Sequence, residues 1–326
     1  MKRIHTSHTR SLCAALITLG FSLFATEAAA DKFITRTFEV ADYSALSVST
    51  CIKVVYTPTL TDERSISARI NEKYADKFRL EAKDGKLSIS IPQGVNGDGS
   101  EVATVTIKGP MLNRLKTESM GQIELKDILQ ADGELRLSVS SAGIIKGAAV
   151  VCTKFKADLS SAGTIELDGI MCDDATVSSE SAAIFDANKL VSGNFDASGS
   201  SMGRVNVDLL YCESFSADFS SMAKGTFAGV CNKNANLKAS SNGAIEAKEL
   251  TSATATISAH SMSRISCSPA KLLSQDTSND SEVKLGKTST KGEELLEEFK
   301  RRMETGSDAA PTDYDTDSDA DSQPLM

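Results

Sequence analysis

The sequence predicts an all-β chain: a β-solenoid of about 20 residues per coil, followed by a short C-terminal helix. Two observations carry the solenoid. Serines recur at positions 141, 161, 181, 201, 221, 241, 261 and 281, a fixed spacing that marks an internal repeat. Between them apolar and polar residues alternate with period two, the pattern of half-buried strands. A third observation carries the helix: from 291 to 303 the apolar spacing lengthens to that of one helix face.

Residues 1–30 read as a secretory signal peptide. Lys2, Arg3 and Arg10 supply the positive start, Ala14 to Ala25 the apolar run, and Ala28-Ala29-Ala30 the small-residue cleavage site. The run is shorter than the roughly 20 apolar residues a membrane span needs, so export is expected and no transmembrane span in the mature chain. Residues 31–113 form an N-terminal β region, read as a cap and irregular first coils that cover the exposed solenoid end. Leu46-Ser47-Val48 and Ile52-Lys53-Val54-Val55-Tyr56 belong to alternating segments, and Asp84-Gly85 between two such segments signals a hairpin. Residues 94–100 read as a polar, Gly-rich loop.

The regular repeat occupies 114–290. Each anchor serine follows a polar residue, and in the first seven of the eight repeats Gly143, Gly163, Ala183, Gly203, Ala223, Gly243 or Ser263 stands two positions later. An earlier copy is Glu118-Ser119-Met120-Gly121. Ahead of the anchor the alternate positions are small or apolar, as in Phe155, Ala157, Leu159 and Phe215, Ala217, Phe219. After it the alternation resumes with Ile165 and Leu167, then Val205 and Val207. A single coil cannot bury its apolar side, but stacked coils make a continuous core. The small residue after each anchor fits a turn with positive φ or close backbone approach. Stacked Ser hydroxyls are expected to bond up the corner and to the turn backbone, and this turn chemistry outweighs a row of nucleophiles.

At 291–303, Leu295, Leu296, Phe299 and Met303 share one face of the expected helix, which either caps the last coil or docks a partner. Residues 304–326 carry seven acids and no Lys or Arg, a composition expected to remain unfolded. The alternating Asp313 to Asp321 have no EF-hand spacing.

The net charge is −9, and −11 once residues 1–30 are removed, which argues against a nucleic-acid binder. Six cysteines remain after that removal: Cys51, Cys152, Cys172, Cys212, Cys231 and Cys267. None forms a CxxC pair, so zinc and redox motifs are not supported. Cys152 with Cys172, and Cys212 with Cys231, fall on neighbouring coils. Each pair reads either as a disulfide or as two stacked free thiols.

Two stretches carry a family likeness. One is Arg36-Thr37-Phe38-Glu39-Val40 with Tyr43-Ser44-Ala45-Leu46-Ser47-Val48, running on to Asp84-Gly85-Lys86-Leu87-Ser88-Ile89. The other is the Ser-Ser-x-Gly run, as at Ser140-Ser141-Ala142-Gly143 and Ser160-Ser161-Ala162-Gly163. Over roughly residues 36–270 the chain resembles the "putative auto-transporter adhesin, head GIN domain" family, a domain of unknown function frequent in exported Bacteroidetes proteins. The resemblance implies a right-handed parallel β-helix without a lyase site and a role in adhesion at the cell surface. The family has no established catalytic residues to carry over. The chain departs from its common Gly-Ser-Gly turns by using Ser-Ser with Ala, Met or Asn.

An enzymatic reading needs a carboxylate pair about 5–10 Å apart. Asp158 and Asp218 share an outward position but lie three coils apart, about 14 Å at the coil spacing. Glu166 and Asp186 share a position on adjacent coils, near 5 Å, and read more strongly as solvated surface charge. A serine triad would require His260, the one histidine beyond residue 30. With no Trp, a sugar-stacking cleft is hard to build. The expected function is therefore a non-enzymatic, exported adhesion or binding module of the periplasm or cell surface. It has no catalytic, cofactor or metal residues, and its partner is an envelope or host surface protein or glycan. Homo-oligomers are left open. The alternatives are a periplasmic scaffold or sensor component docking through 291–303 and, last, a polysaccharide-acting enzyme.

Overall fold

The structure is a computed structural model and describes residues 32–61, 63–92, 102–278 and 280–286. The expected signal peptide (1–30), the loop at 94–100, the helix at 291–303 and the acidic tail at 304–326 lie outside the described residues.

The strands stack in three parallel ladders, one for each side of the coil. The first ladder runs through Arg114–Glu118, Glu134–Val139, Lys154–Leu159 and Asp174–Glu180. It continues in the later halves of Ile184–Ser200, Arg204–Phe219, Lys224–Ala239 and Ala244–Ala259. The second ladder takes Gln122–Leu125, Ile144–Gly147 and Thr164–Leu167, then the opening halves of the same long strands, and ends in Glu282–Leu285. The third is shorter: Leu129–Gln130, Val150–Val151 and Ile170–Met171, then Leu190-Val191 and onward. Ile144 pairs with Thr164, Thr164 with Ile184 and Ile184 with Arg204, so the coil length of 20 residues is the structural repeat.

Because the ladders are parallel and in register, each inward position becomes a column through the core. Phe155, Phe195 and Phe215 occupy one such column, with Ala175 and Ala235 between or beside them, all buried. Phe195 stacks on Phe215 at 5.5 Å between centroids, and Phe227 meets Phe215 edge-on at 4.7 Å. Phe227 needs room that its neighbours give up. Gly225 stands where adjacent coils carry Val205 and Ile245. A Cβ on Gly225 would lie 2.5 Å from the Phe227 ring and 2.6 Å from Phe219. Side-chain volume is conserved between positions of the coil, as dense packing requires.

The corner between the first two ladders explains the serine repeat. At nine corners two successive residues have positive φ, from Thr50 (63°) and Cys51 (55°) through Ser141 (51°) and Ala142 (59°) to Ser261 (57°) and Met262 (62°). A turn closes around the pair, with Gly143 N–H donating to Ser140 O at 2.9 Å and Gly163 N–H to Ser160 O at 2.9 Å. Two left-handed residues closed by an i+3 to i bond define a type I′ turn. Of the two grounds the sequence offers for the small residue after the anchor, positive φ or close backbone approach, close approach holds, and the left-handed pair is the anchor serine and its successor. The expected bonding up the corner runs through backbone groups and not through the serine hydroxyls. A Cβ on Gly203 would lie 2.0 Å from Ser179 O, and one on Gly243 2.1 Å from Phe219 O. The corner ladder is backbone: Met120 N–H donates to Ser141 O, Ala142 to Ser161, Ala162 to Ser181, and so on to Asn242 and Ser261, at 3.0–3.2 Å. The anchor serines themselves are exposed.

Two further differences arise at the ends. Ser49-Thr50-Cys51-Ile52 is a ninth corner that the serine spacing does not reveal, because Thr and Ile replace Ser and Gly. Its Cys51 N–H donates to Ser119 O at 3.1 Å. Ser281, by contrast, is not an anchor. The final strand pairs Arg264 with Glu282, so the last coil has 18 residues and Ser281 falls two places out of register.

At the N-terminal end Ala45–Ser49 and Ile52–Pro58 stack against Arg114–Glu118 and Gln122–Leu125, with the intervening chain inserted outside. Lys86–Ser90 and Ala103–Gly109 add one more parallel layer. Direction then reverses: Arg79–Lys83, Ser65–Asn71 and Phe33–Phe38 pair antiparallel. The predicted Asp84-Gly85 hairpin is present, with φ of 52° and 71°. A short 3-10 helix at Glu72–Tyr74, started by the Asn71 side chain accepting from Lys73 N–H, breaks the strand pattern expected there.

Adding a methyl at a close-approach glycine therefore has a different effect from removing one at a left-handed alanine. Gly203→Ala is expected to destabilise by about 1–3 kcal/mol through backbone displacement. Ala162→Gly is expected to be neutral or stabilising, because relief of left-handed strain offsets the added chain entropy. Urea unfolding of both variants measures the contrast.

Candidate functional site

Outward positions also form columns, and on the second ladder they line a groove. Glu124, Lys146, Glu166, Asp186, Asn206 and Thr226 are successive register partners on the outer face. Their inward neighbours Ile123, Ile145, Ile165, Phe185 and Val205 are buried, which fixes the outward direction of the whole column. Two residues further along, Lys126, Ala148, Asp168, Asn188 and Asp208 form a second column. The two columns enclose an open groove of about 760 Å³. Gly147 contributes backbone to its floor. Its φ is 139°, and a Cβ there would lie 2.1 Å from Leu125 O, so the chain folds tightly at this point.

The groove's side chains hold one another. Asn188 Nδ2 donates to Asp168 Oδ1 at 3.3 Å and Asn206 Nδ2 to Asp186 Oδ1 at 2.6 Å, each across one coil. Glu124 sits between two lysines, with Lys53 Nζ at 2.8 Å and Lys126 Nζ on its other oxygen. Hydrogen bonds from Lys126 and then Lys53 hold its carboxyl down at about 2, well below the ordinary range. The arrangement presents fixed carboxylate and carboxamide oxygens at the interstrand spacing. These are hydrogen-bond acceptors for a ligand rich in hydroxyl or amide donors.

The carboxylates weighed from the sequence fall as follows. Glu166 and Asp186 are register partners in the groove, as expected, but the groove is open and Asp186 is engaged by Asn206. Asp158 and Asp218 belong to the first ladder with Ser178 and Ser198 between them. Arg136 Nε lies 3.3 Å from Asp158. His260 Nε2 lies 3.4 Å from Asp276 Oδ2 at an exposed corner. The nearby Ser278 hydroxyl bonds to Asp280 at 2.5 Å and to Ser281 at 2.9 Å, so no triad is assembled there. Among the described residues no three His, Cys, Asp or Glu side chains converge as a metal-ligand set. No described helix is long and apolar enough to cross a membrane.

One surface feature escaped the sequence reading. Met120, Met202, Met222 and Met262 all occupy the second left-handed position of a corner and are more than half exposed. A base follows two residues after three of them: Arg204, Lys224 and Arg264. The available signal was an apolar residue at a position where the turn favours Asn or Gly.

The family described as "Putative auto-transporter adhesin, head GIN domain" matches residues 42–207 and 176–288 of the chain. Solved structures share the fold at low identity. A "putative adhesin" from Parabacteroides distasonis superposes with a TM-score of 0.59 at 13% identity, covering 78% of this chain and 98% of its own. A "putative lipid binding protein" from the same species gives 0.58 at 14%, covering 77% and 96%. A "putative adhesin" from Parabacteroides merdae gives 0.56 at 12%, covering 78% and 97%. No curated protein matches the sequence.

The Glu124 cluster makes a pH prediction. Its folded carboxyl titrates below an unfolded one, so its contribution to stability is complete above about pH 5 and is lost as pH falls toward 2. Both lysines are about half exposed, which limits the contribution to roughly 1 kcal/mol or less. Glu124→Gln should lower stability at pH 7 and converge with the parent near pH 2, read as paired urea midpoints across that interval.

Proposed function

Because the chain belongs to the family described as "Putative auto-transporter adhesin, head GIN domain", we propose that it is an exported, non-enzymatic binding module. It acts in adhesion at the cell surface or within the envelope. The observation that carries this reading is the groove on the second ladder. Its acceptors are set by strand register and cross-coil Asn–Asp bonds, so they are ordered before any ligand arrives. Such preorganisation removes an ordering cost from binding. The ligand class that fits is a polyhydroxylated chain, a surface glycan, held by hydrogen bonds along several coils. With no Trp in the sequence, affinity comes from repeated polar contacts instead of ring stacking.

A second reading draws on the corner methionines. Exposed thioethers followed by Arg204, Lys224 and Arg264 give an apolar and basic edge suited to an anionic lipid surface, in keeping with the "putative lipid binding protein" of Parabacteroides distasonis that shares the fold. The scaffold alternative rests on 291–303, outside the described residues.

The test is binding of the full chain to an immobilised glycan array and to vesicles containing anionic lipid. The expected result is glycan binding reduced at least tenfold, about 1.4 kcal/mol, by the paired change Asp168→Lys and Asp186→Lys. Vesicle binding abolished by Met202→Ser with Met222→Ser, and no glycan binding, would replace the groove with the corner. Protease treatment of intact cells separates the two locations: cleavage supports surface adhesion, and protection until the outer membrane is opened overturns it.

A further inference from the structure

The third ladder carries a buried column that the groove does not explain. Its inward side chains are Cys152, Cys172, Ser192, Cys212, Cys231 and Ser252 in successive coils. We propose that Cys152–Cys172 and Cys212–Cys231 are oxidised to two disulfides that staple neighbouring coils together.

Register places the partners. Val151 pairs with Met171, and Cys152 N–H donates to Met171 O at 3.1 Å, so Cys152 and Cys172 stand opposite each other at the next step. Cys212 pairs directly with Cys231. Adjacent strands lie about 4.8 Å apart, inside the roughly 4.4–6.8 Å between Cα atoms that a disulfide spans. The second match is not a by-product of the repeat. At a uniform coil length Cys212 would face Asn232. Register shifts between Val207 and Leu210, and again between Cys212 and Phe215, drop one residue and then restore it. The irregularity puts Cys231 opposite Cys212 and leaves the coils on either side in step.

Ser192 makes the pairing unambiguous. It stands between Cys172 and Cys212, which are two coils apart, about 9.6 Å, too far to bridge. Its buried hydroxyl has no hydrogen-bond partner among the described residues. A third thiol at that position would allow exchange among bridges, and serine prevents it. All four are free thiols in the structure, so each bridge forms by oxidation of a facing pair. Hydrogen bonds from their neighbours lower the pKa of Cys152 and Cys231, while Cys172 and Cys212 are raised, first by the same contact and then by burial.

The oxidant is an external disulfide, either glutathione disulfide or the active-site disulfide of an oxidoreductase. One cysteine thiolate attacks a donor sulfur, forming a mixed disulfide and releasing the first donor thiolate. The facing cysteine thiolate attacks the protein sulfur of that intermediate, closing the inter-coil bond and releasing the second. Each bridge passes two electrons to the donor, and the two cysteine protons end on the donor thiols. Cys212 and Cys231 are 0% and 1% exposed against 9% and 8% for Cys152 and Cys172. The 212–231 bridge therefore closes while its coils are still open, and the 152–172 bridge also exchanges in the folded chain.

The test is refolding of the full chain in a glutathione redox buffer, followed by alkylation and non-reducing peptide mapping. Linked peptides 152–172 and 212–231, with Cys51 and Cys267 alkylated, are expected. A Tm about 5 °C higher per bridge than in the reduced chain should accompany them. Cys152→Ser and Cys212→Ser should each remove one bridge and its share of the shift. Alkylation of Cys152, Cys172, Cys212 and Cys231, or any other pairing as the main product, overturns the proposal. Because mapping of the unmutated chain decides the matter, a variant that fails to fold leaves it decided.

Discussion

The fold depends on one backbone event, the pair of left-handed residues at the corner between the first two ladders. Two L-residues with positive φ cost about 1–2 kcal/mol each. Seven of the nine corners recover about 1 kcal/mol from an i+3 to i bond, and stacked corners recover about as much from the backbone bond to the next coil. The corner is thus close to neutral by itself, and it persists because nine of them lie in one line. The change of strand direction that it enforces turns the inward residues of successive coils into shared columns. The core columns, the Gly225 vacancy filled by Phe227, and the outward groove all follow from that alignment.

This constraint accounts for the residue choices at the corner. The anchor is Ser at eight of the nine corners and Thr at the other, although its hydroxyl is exposed; what is selected is a small residue that tolerates positive φ. The following position accepts Ala, Met or Asn in the regular coils because its side chain is exposed there, while Cys51 at the first corner packs partly against the core. The third is held to Gly, Ala or Ser in the regular coils because backbone of the preceding coil passes close beneath it, as Ser179 O does under Gly203. At Ala183 the turn is held from within its own coil by the Ser179 hydroxyl, which donates to Ala183 O at 2.8 Å.

Much of this was legible in the residues. Period-two alternation at Phe155, Ala157 and Leu159 carries strand and inward face together, and a fixed spacing of anchors carries the stacking. Even Glu166 and Asp186 were placed as neighbours by counting from their serines. What counting could not supply is local change of register. The shift at Val207–Leu210 and the 18-residue final coil both alter which residues face each other, and neither leaves a compositional mark. Equal spacing made Ser281 look like an anchor, although Arg264 pairs with Glu282. The corner at Thr50-Cys51 was hidden for the opposite reason: the backbone conformation is kept while its residues differ. The exposed Met row was missed because apolar residues are read first as core, and a turn conformation that points them outward is not visible in the pattern.

A solenoid separates folding from recognition by column. Most inward positions are filled by Phe, aliphatic or other small residues, since each coil must satisfy the same packing. Outward columns carry no such requirement, so Glu124, Lys146, Glu166, Asp186, Asn206 and Thr226 differ from coil to coil while their backbone positions stay equivalent. The order of side chains along that column is then a sequence-encoded pattern of donors and acceptors at one interstrand spacing. Exchanging one outward residue changes one contact in the pattern and leaves the ladder beneath it intact. A surface of that kind recognises an extended ligand by summed weak contacts, which is the mode that suits adhesion to a repetitive surface.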